Sequence, residues 1–372
     1  MKILVVTDAW RPQINGVVRT LEMTAAELAR LGHETCVVGP DVARRATLSV
    51  PFYPEIKLEF FARRRLERIF DDFAPDAIHI ATEGPLGWTA RNLCVDRRLG
   101  FSTAYHTRFP EYMAQRTPGP LKPLVRGAIY ALLKNFHAPS SAIMVATASI
   151  ERELAGRGFP RLRRWSRGVD LEQFRPGLEP PEEFADLPRP RLLFVGRIAV
   201  EKNLPAFLRL KTPGAKIVVG DGPELESLRR SFPDAHFLGA KQGAELARCY
   251  ANADLFIFPS LSDTFGLVLL EACAAGLRIA ALPAPGPVDI FGLDSDIAAI
   301  EPDLGHAIAR ALAWPTDSDL PRAFAQKFTW AACTAQFEDI LRASMAAPGE
   351  PVAETCALWS ANAPAEPKAR RP

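Results

Sequence analysis

Two carboxylates eight positions apart, Asp263 and Glu271, lie in Pro259-Ser260-Leu261-Ser262-Asp263-Thr264-Phe265-Gly266-Leu267-Val268-Leu269-Leu270-Glu271-Ala272, directly after the apolar run Leu255-Phe256-Ile257-Phe258. The order reads as strand, loop, helix, and a helix N-terminus presents amides that suit a phosphate. Here those amides belong to Phe265, Gly266, Leu267 and Val268. At 3.6 residues per turn, eight positions are about 80° apart, so the spacing predicts both carboxylates facing one cleft, where they accept hydrogen bonds from a polyhydroxyl ligand. An ordinary capped helix, with Asp263 or Thr264 as the cap and Glu271 in solvent, fits the same residues.

Cations stand at a second point of the chain. Arg197 and Lys202, in Val195-Gly196-Arg197 and Glu201-Lys202-Asn203, follow the strand-like Arg191-Leu192-Leu193-Phe194-Val195 closely enough to converge on a diphosphate. Two such groups offset the charge that develops on a departing phosphate without a metal ion, so no metal and no cofactor are expected. Gly16, in Pro12-Gln13-Ile14-Asn15-Gly16-Val17, lacks a Cβ and lets backbone approach a ligand, or simply makes a tight entry into the next helix. Asp221 and Gly222 open a helix after Ile217-Val218-Val219-Gly220, where Gly222-Pro223 accounts for a sharp turn with or without a ligand nearby. His106, in Thr103-Ala104-Tyr105-His106-Thr107-Arg108, sits between an extended stretch and a loop and reads as structural or functional. Asp294-Ser295-Asp296 has the spacing of a metal-binding carboxylate pair but follows no apolar strand, and reads as a surface turn.

The elements that must carry these residues alternate short apolar runs with helical stretches, the pattern of parallel βαβ units. One series runs from Ile3 to Ala146 and a second from Arg191 to Leu282, which predicts an α/β protein of two Rossmann-like, doubly wound domains facing a cleft. The segment 171–190, with Pro176, Pro180, Pro181, Pro188 and Pro190, is expected to be the linker between a first domain over 1–170 and a second over 191–325. A C-terminal helix over 326–345 and a disordered tail over 346–372, rich in Ala, Pro and charge, complete the reading. At 372 residues, 48% of them hydrophobic and 24% charged, the chain is long enough for two cores. No apolar run reaches the roughly 18 to 20 residues of a membrane span, and no signal-peptide pattern precedes Ile3, so a cytoplasmic protein is expected. Six scattered cysteines, without a C-x-x-C pair, suggest neither a disulfide framework nor a zinc site.

Residues 1–170 hold 25 Lys or Arg against 17 Asp or Glu, and residues 171–372 hold 20 against 26. The basic half suits an anionic partner. No nucleic-acid motif is present, so a phosphorylated ligand or a membrane surface fits better. Arg63-Arg64-Arg65 with Arg68 reads as a solvated helix face or a membrane contact. Leu121, Leu124, Val125, Ala128, Ile129, Leu132 and Phe136 recur at helical spacing, with Lys122, Arg126 and Lys134 on another arc. Such a helix packs into the core or docks on anionic lipid.

Taken together, the segment ending in Glu271, Val195-Gly196-Arg197 with Glu201-Lys202-Asn203, Val219-Gly220-Asp221-Gly222-Pro223 and the loop around Gly16 resemble the retaining two-domain (GT-B) glycosyltransferases whose signature is Glu, seven residues, Glu. The resemblance covers about residues 1 to 344 and is greatest to the bacterial branch with mannosyltransferases and glycolipid synthases. It implies a hexose moved from a UDP- or GDP-sugar to an acceptor hydroxyl, with a membrane lipid as acceptor. It places Arg197 and Lys202 on the donor diphosphate, Glu271 on the ribose, Asp221 and Gly222 near the base, and His106 facing the transferred sugar. It implies as well that the departing phosphate oxygen takes the acceptor's proton. Asp263 departs from the pattern, being one methylene shorter than the family's first Glu. A nucleotide-sugar epimerase and a non-catalytic nucleotide-sugar-binding subunit remain the alternatives, and a peripheral position on the inner face of the membrane is expected.

Overall fold

The computed structural model describes residues 1–41, 47–50, 53–115, 117–315 and 319–345. The tail expected over 346–372 lies outside the described residues. Fourteen strands are present among them: β1 (Lys2–Val6), β2 (Glu34–Val38), β3 (Thr47–Val50), β4 (Tyr53–Glu59), β5 (Ala77–Ile80), β6 (Ser102–Tyr105), β7 (Ala142–Val145), β8 (Leu162–Arg164), β9 (Arg191–Val195), β10 (Ala215–Val219), β11 (His236–Phe237), β12 (Leu255–Phe258), β13 (Ile279–Ala281) and β14 (Ala298–Ile300). They form two six-stranded parallel sheets, ordered β2-β1-β5-β6-β7-β8 and β11-β10-β9-β12-β13-β14, and a separate antiparallel hairpin of β3 and β4. The two-domain α/β fold is therefore the one the alternating pattern predicts.

Parallel strands covered by helices on both faces tend to continuous apolar runs, as β1, β9 and β12 show. Along β1, Leu4 and Val6 pack with Ile78, Ile80, Leu86 and Leu93 on one face, while Ile3 and Val5 pack with Leu21, Leu28 and Met144 on the other. Along β9, Leu193 and Val195 join one core of the second domain and Leu192 and Phe194 the other. Each strand thereby fills two cores, because successive side chains point to opposite faces.

The C-terminal helix Trp330–Ser344 belongs to the first sheet rather than to the domain that precedes it. Trp330, Cys333, Phe337 and Leu341 pack against Ile3, Val5, Met144 and Trp165. A bridge between Val169 and Thr329 ties the outgoing and returning chain, and a Cβ on Gly168 would lie within 2.7 Å of the Trp330 backbone. Burying a Trp, Phe and Leu side chain contributes about 1.5–3 kcal/mol each, so the return crossing is a strong one. The proline-rich segment 171–190 likewise packs: Phe174 and Phe184 are buried in the second domain's core.

The helix Lys122–His137 corrects the inward face read from the sequence. Tyr130, Leu133 and Phe136 are buried, whereas Leu121, Leu124 and Leu132 are exposed, Leu124 by 70%. Only the second half of the helix reaches the side chains of β6 and β7, where Tyr130 and Leu133 meet Tyr105, Ile143 and Val145. The first half projects beyond them.

Candidate active site

In an open α/β sheet the ligand crevice opens where the strand order reverses, beyond the carboxyl ends of the two strands at that point. In the second sheet the chain runs outward from β9 to β11 and then returns to place β12 on the other side of β9. Arg197 and Lys202 follow β9 and Asp263 follows β12, and Lys202 and Asp263 meet there although 61 residues separate them. The Lys202 Nζ donates to Asp263 Oδ1 at 2.6 Å. The second oxygen, Asp263 Oδ2, is closed to solvent and accepts no hydrogen bond among the described residues. Asn203 Nδ2 donates to Pro259 O at 3.2 Å and Ser260 Oγ to Glu201 O at 3.3 Å, which fastens the two loops to each other.

The 80° separation expected between Asp263 and Glu271 does not apply, because the helix starts only at Leu267. Gly266, its N-cap, has φ +88°, a left-handed value that a side chain resists. Asp263, Thr264 and Phe265 therefore form a turn, with Phe265 buried beneath it. Glu271 is one turn into the helix. Tyr250 Oη donates to its Oε2 at 2.9 Å. Burial raises the Glu271 carboxyl above its ordinary value, and the Tyr250 hydrogen bond and the Arg19 charge oppose that rise. Arg19 lies on the first domain's helix Gly16–Arg30, so Glu271 looks across the cleft.

Asp221 and Gly222 sit farther out and are held by the β9 loop. Ile198 N donates to Asp221 O at 2.8 Å, Gly222 N donates to Asp221 Oδ1 at 2.7 Å, and a Cβ on Gly222 would lie 2.3 Å from Ile198 O. Close packing thus accounts for the glycine. Asp294 and Asp296 are exposed in a turn whose Ser295 hydroxyl accepts from Ile297 N and Ala298 N. Among the described residues no group of three or more His, Cys, Asp or Glu is arranged to hold a metal.

The first domain supplies the opposing wall. Asn15 Oδ1 accepts from Val17 N and Val18 N, both at 3.0 Å, capping the helix Gly16–Arg30, and a Cβ on the exposed Gly16 would meet Leu267 Cδ1 at 3.7 Å. Two helix N-termini, one from each domain, thus approach each other. His106 follows β6, and Thr264 Oγ1 donates to its backbone oxygen at 2.9 Å across the domains. Its Nδ1 meets Arg167 Nη2 at 3.0 Å, and its Nε2 is buried with no hydrogen-bond partner among the described residues. Burial first, then the Arg167 charge, pushes the imidazole well below its ordinary value, so the ring is neutral.

Arg167, Thr264's bond to His106 and Tyr250 were not singled out by sequence reasoning. Tyr250 lies in an amphipathic helix where any large side chain would do, and Arg167 follows a three-residue strand with no spacing to mark it. A second cross-domain contact, Ser149 N and Oγ donating to the two Asp289 oxygens at 2.8 and 2.7 Å, also carries no local signal.

Comparison with known proteins supports the same architecture. The model of Glycosyltransferase Family 4 matches residues 14–173, and that of Glycosyl transferases group 1 matches residues 189–314, between them more than half of the chain. A GDP-mannose-dependent alpha-mannosyltransferase of Mycobacterium tuberculosis is 29% identical over 336 residues, covering 83% of this chain and 87% of its own. An alpha-monoglucosyldiacylglycerol synthase of Streptococcus pneumoniae is 28% identical over 358 residues, covering 84% and 78%. Among solved structures, sucrose-phosphate synthase from Thermosynechococcus elongatus superposes with a TM-score of 0.71 at 19% identity, over 92% of this chain and 98% of its own, which speaks to the fold.

Proposed function

From the premise that this chain belongs to the group 1 glycosyltransferases, we propose that it moves a hexose from a UDP- or GDP-sugar to a hydroxyl of a membrane lipid, with retention of configuration. The observation that carries the reading is the meeting of Lys202 and Asp263 at the strand-order reversal of the second sheet, opposite Gly16 and His106.

In this mechanism Glu271 accepts the ribose hydroxyls with the oxygen that Tyr250 leaves available. Arg197 and Lys202 hold the diphosphate, assisted by the amides of Gly266, Leu267 and Gly16. Both side chains keep a path to solvent, and a diphosphate offers Lys202 a more highly charged partner than one carboxylate, so Lys202 shifts from Asp263 to phosphate. Asp263 then accepts from a hydroxyl of the sugar. The bond from the anomeric carbon to the phosphate oxygen breaks and the bond to the acceptor oxygen forms on the same face. The acceptor's proton passes to the departing phosphate oxygen. No metal takes part, because the two cations and the helix N-terminus stabilise the leaving group.

A lipid acceptor is supported by the name of the diacylglycerol-modifying relative and by the surface of the first domain. Exposed Leu124 and Leu132 share the helix with Lys122 and Arg126, and exposed Leu121 stands at its entry. The other basic cluster is less available than its sequence suggests: Arg65 pairs with the buried Glu59, and Arg63 pairs with Glu67 and Asp96. No described helix is long and apolar enough to cross a membrane.

The test is a screen of UDP- and GDP-hexoses with membrane lipid extract, reading glycolipid formation and anomeric configuration. One donor should give one α-linked glycolipid with release of nucleoside diphosphate. Free epimerised sugar without an acceptor would indicate an epimerase, and tight donor binding without any transfer a binding subunit. Cosedimentation with anionic and neutral vesicles checks the surface. Binding should favour anionic lipid, weaken with salt, and fall when Lys122, Arg126 and Lys134 are changed to Glu, each charge being worth about 1 kcal/mol. Equal binding to both vesicle types, or none, would leave a water-soluble acceptor.

A further inference from the structure

Behind His106 lies a cation to which the mechanism above gives no task. Arg167 is 5% exposed, and among the described residues no carboxylate pairs with it. Its Nη1 donates to Trp165 O and Ser166 O, both at 2.8 Å, its Nη2 lies 3.0 Å from His106 Nδ1, and its Cζ is 4.4 Å from the centre of the Trp165 ring. Trp165 is itself fully buried against Phe337 of the returning C-terminal helix. Held on two carbonyls, one ring face and one imidazole, the guanidinium has no freedom to turn away.

We propose that Arg167 is a positioning residue that fixes the tautomer of His106, so that the imidazole offers Nε2–H as a hydrogen-bond donor to the transferred sugar and is not a base. A guanidinium has donors only, so the ring nitrogen facing it must accept. That nitrogen is Nδ1, and a neutral imidazole then carries its single proton on Nε2. Among the described residues Nε2 has no acceptor, and it is closed to solvent. Its N–H is therefore unsatisfied until a ligand oxygen reaches it, which is how a donor reserved for substrate is recognised. The other groups around the ring preserve this state. The Arg167 charge disfavours a second proton, and the neighbouring His79, its own pKa pushed down to about 3 by burial, is sealed between Trp165 and Phe337 with its Nδ1 on Ser102 Oγ. The Thr264 bond to the His106 backbone oxygen sets the other end of the residue from the opposite domain.

The inference rests on the reading that His106 faces the sugar, but its test does not depend on transfer. In the full chain with 15N-labelled histidine, the His106 signal, assigned by comparison with His106→Gln, should show the proton on Nε2 and no titration between about pH 6 and 8. Arg167→Met should mix the tautomers, while burial, the larger cause, keeps the ring neutral over the same range. Its turnover should fall about 100-fold with a small change in donor KM, as expected for loss of an oriented hydrogen-bond donor. Arg167→Lys, which keeps a donor at Nδ1, should restore the Nε2–H tautomer and most of that turnover. A wild-type proton on Nδ1 would overturn the proposal, and so would Arg167→Met with an unchanged tautomer. Unaltered spectra with lost activity would reduce Arg167 to a packing role. Correct spectra in a chain that transfers no sugar would preserve the tautomer lock and count against the transferase reading alone.

Discussion

On the second-domain wall of the cleft, Lys202 and Asp263 neutralise each other at 2.6 Å with about a fifth of each side chain in solvent, 23% and 22%. On the first-domain wall, Arg167 is sealed, its bonds go to carbonyls and an imidazole, and no carboxylate among the described residues offsets its charge. The first arrangement can exchange partners, because both side chains reach solvent and an incoming anion can replace the carboxylate on Lys202. The second does not exchange, because a buried charge with several anchors loses all of them on moving. The cleft therefore joins a wall that rearranges on a charged ligand to a wall that is set beforehand. The donor diphosphate suits the former and the reacting sugar the latter.

The largest expected effect breaks the comparison at its second-domain side. Arg197→Ala and Lys202→Ala should each lower kcat/KM by about 100- to 1000-fold, the ~3–4 kcal/mol that a positioned group contributes to a developing oxyanion, while cooperative melting persists. Near-normal turnover in either purified variant would remove the diphosphate assignment. Asp263→Asn separates a ligand-gripping carboxylate from a mere counter-ion for Lys202. Turnover should fall about 10- to 100-fold without a rise in donor KM, as for a contact made mainly in the transition state. Wild-type kinetics would make Asp263 only the partner of Lys202.

A smaller effect is expected at Glu271, whose contacts serve ground and transition states alike. Glu271→Ala should raise donor KM about 10-fold with kcat little changed, as measured by initial rates. Because burial raises this carboxyl, wild-type donor affinity should decline as pH falls through a range above that of an ordinary glutamate. The same shift has a stability sign. A carboxyl whose folded value lies above its unfolded one binds more protons in the folded state, so its ionisation costs stability as pH rises through that window. Glu271→Gln, which keeps an acceptor for Tyr250, should therefore flatten the affinity profile and melt no lower than wild type at pH 7. The smallest effect is on metal removal: EDTA should change the rate by less than about twofold, since the cations and helix N-terminus occupy the metal's role. Complete loss restored by manganese would bring Asp294 and Asp296 back into consideration.

Much of this was legible along the chain. Apolar runs of four or five residues alternating with helices gave two parallel sheets, and Gly16, His106, Arg197, Lys202, Asp221 and Asp263 each follow a strand because that is where an α/β chain leaves its sheet. The helical arc drawn from Asp263 to Glu271 was not legible correctly, since periodicity holds only inside a helix and Gly266 at φ +88° ends it. The helix Lys122–His137 shows the same limit. Its spacing marks an amphipathic helix, but which half meets the sheet depends on how far the helix projects past β6 and β7.

What the sequence determined by itself is the kind of fold and the types of group available to a cleft, because strand and helix periods and turn residues act over a few positions. What the tertiary structure alone decided is pairing: Lys202 with Asp263 across 61 residues, Arg167 with His106 across another 61, and the return of Trp330–Ser344 to the first sheet. These pairs are fixed by where the strand orders reverse and by how the two domains close. Side chains of opposite charge or complementary shape carry no mark of the distant partner they will meet, and only the packed chain brings them within hydrogen-bond reach.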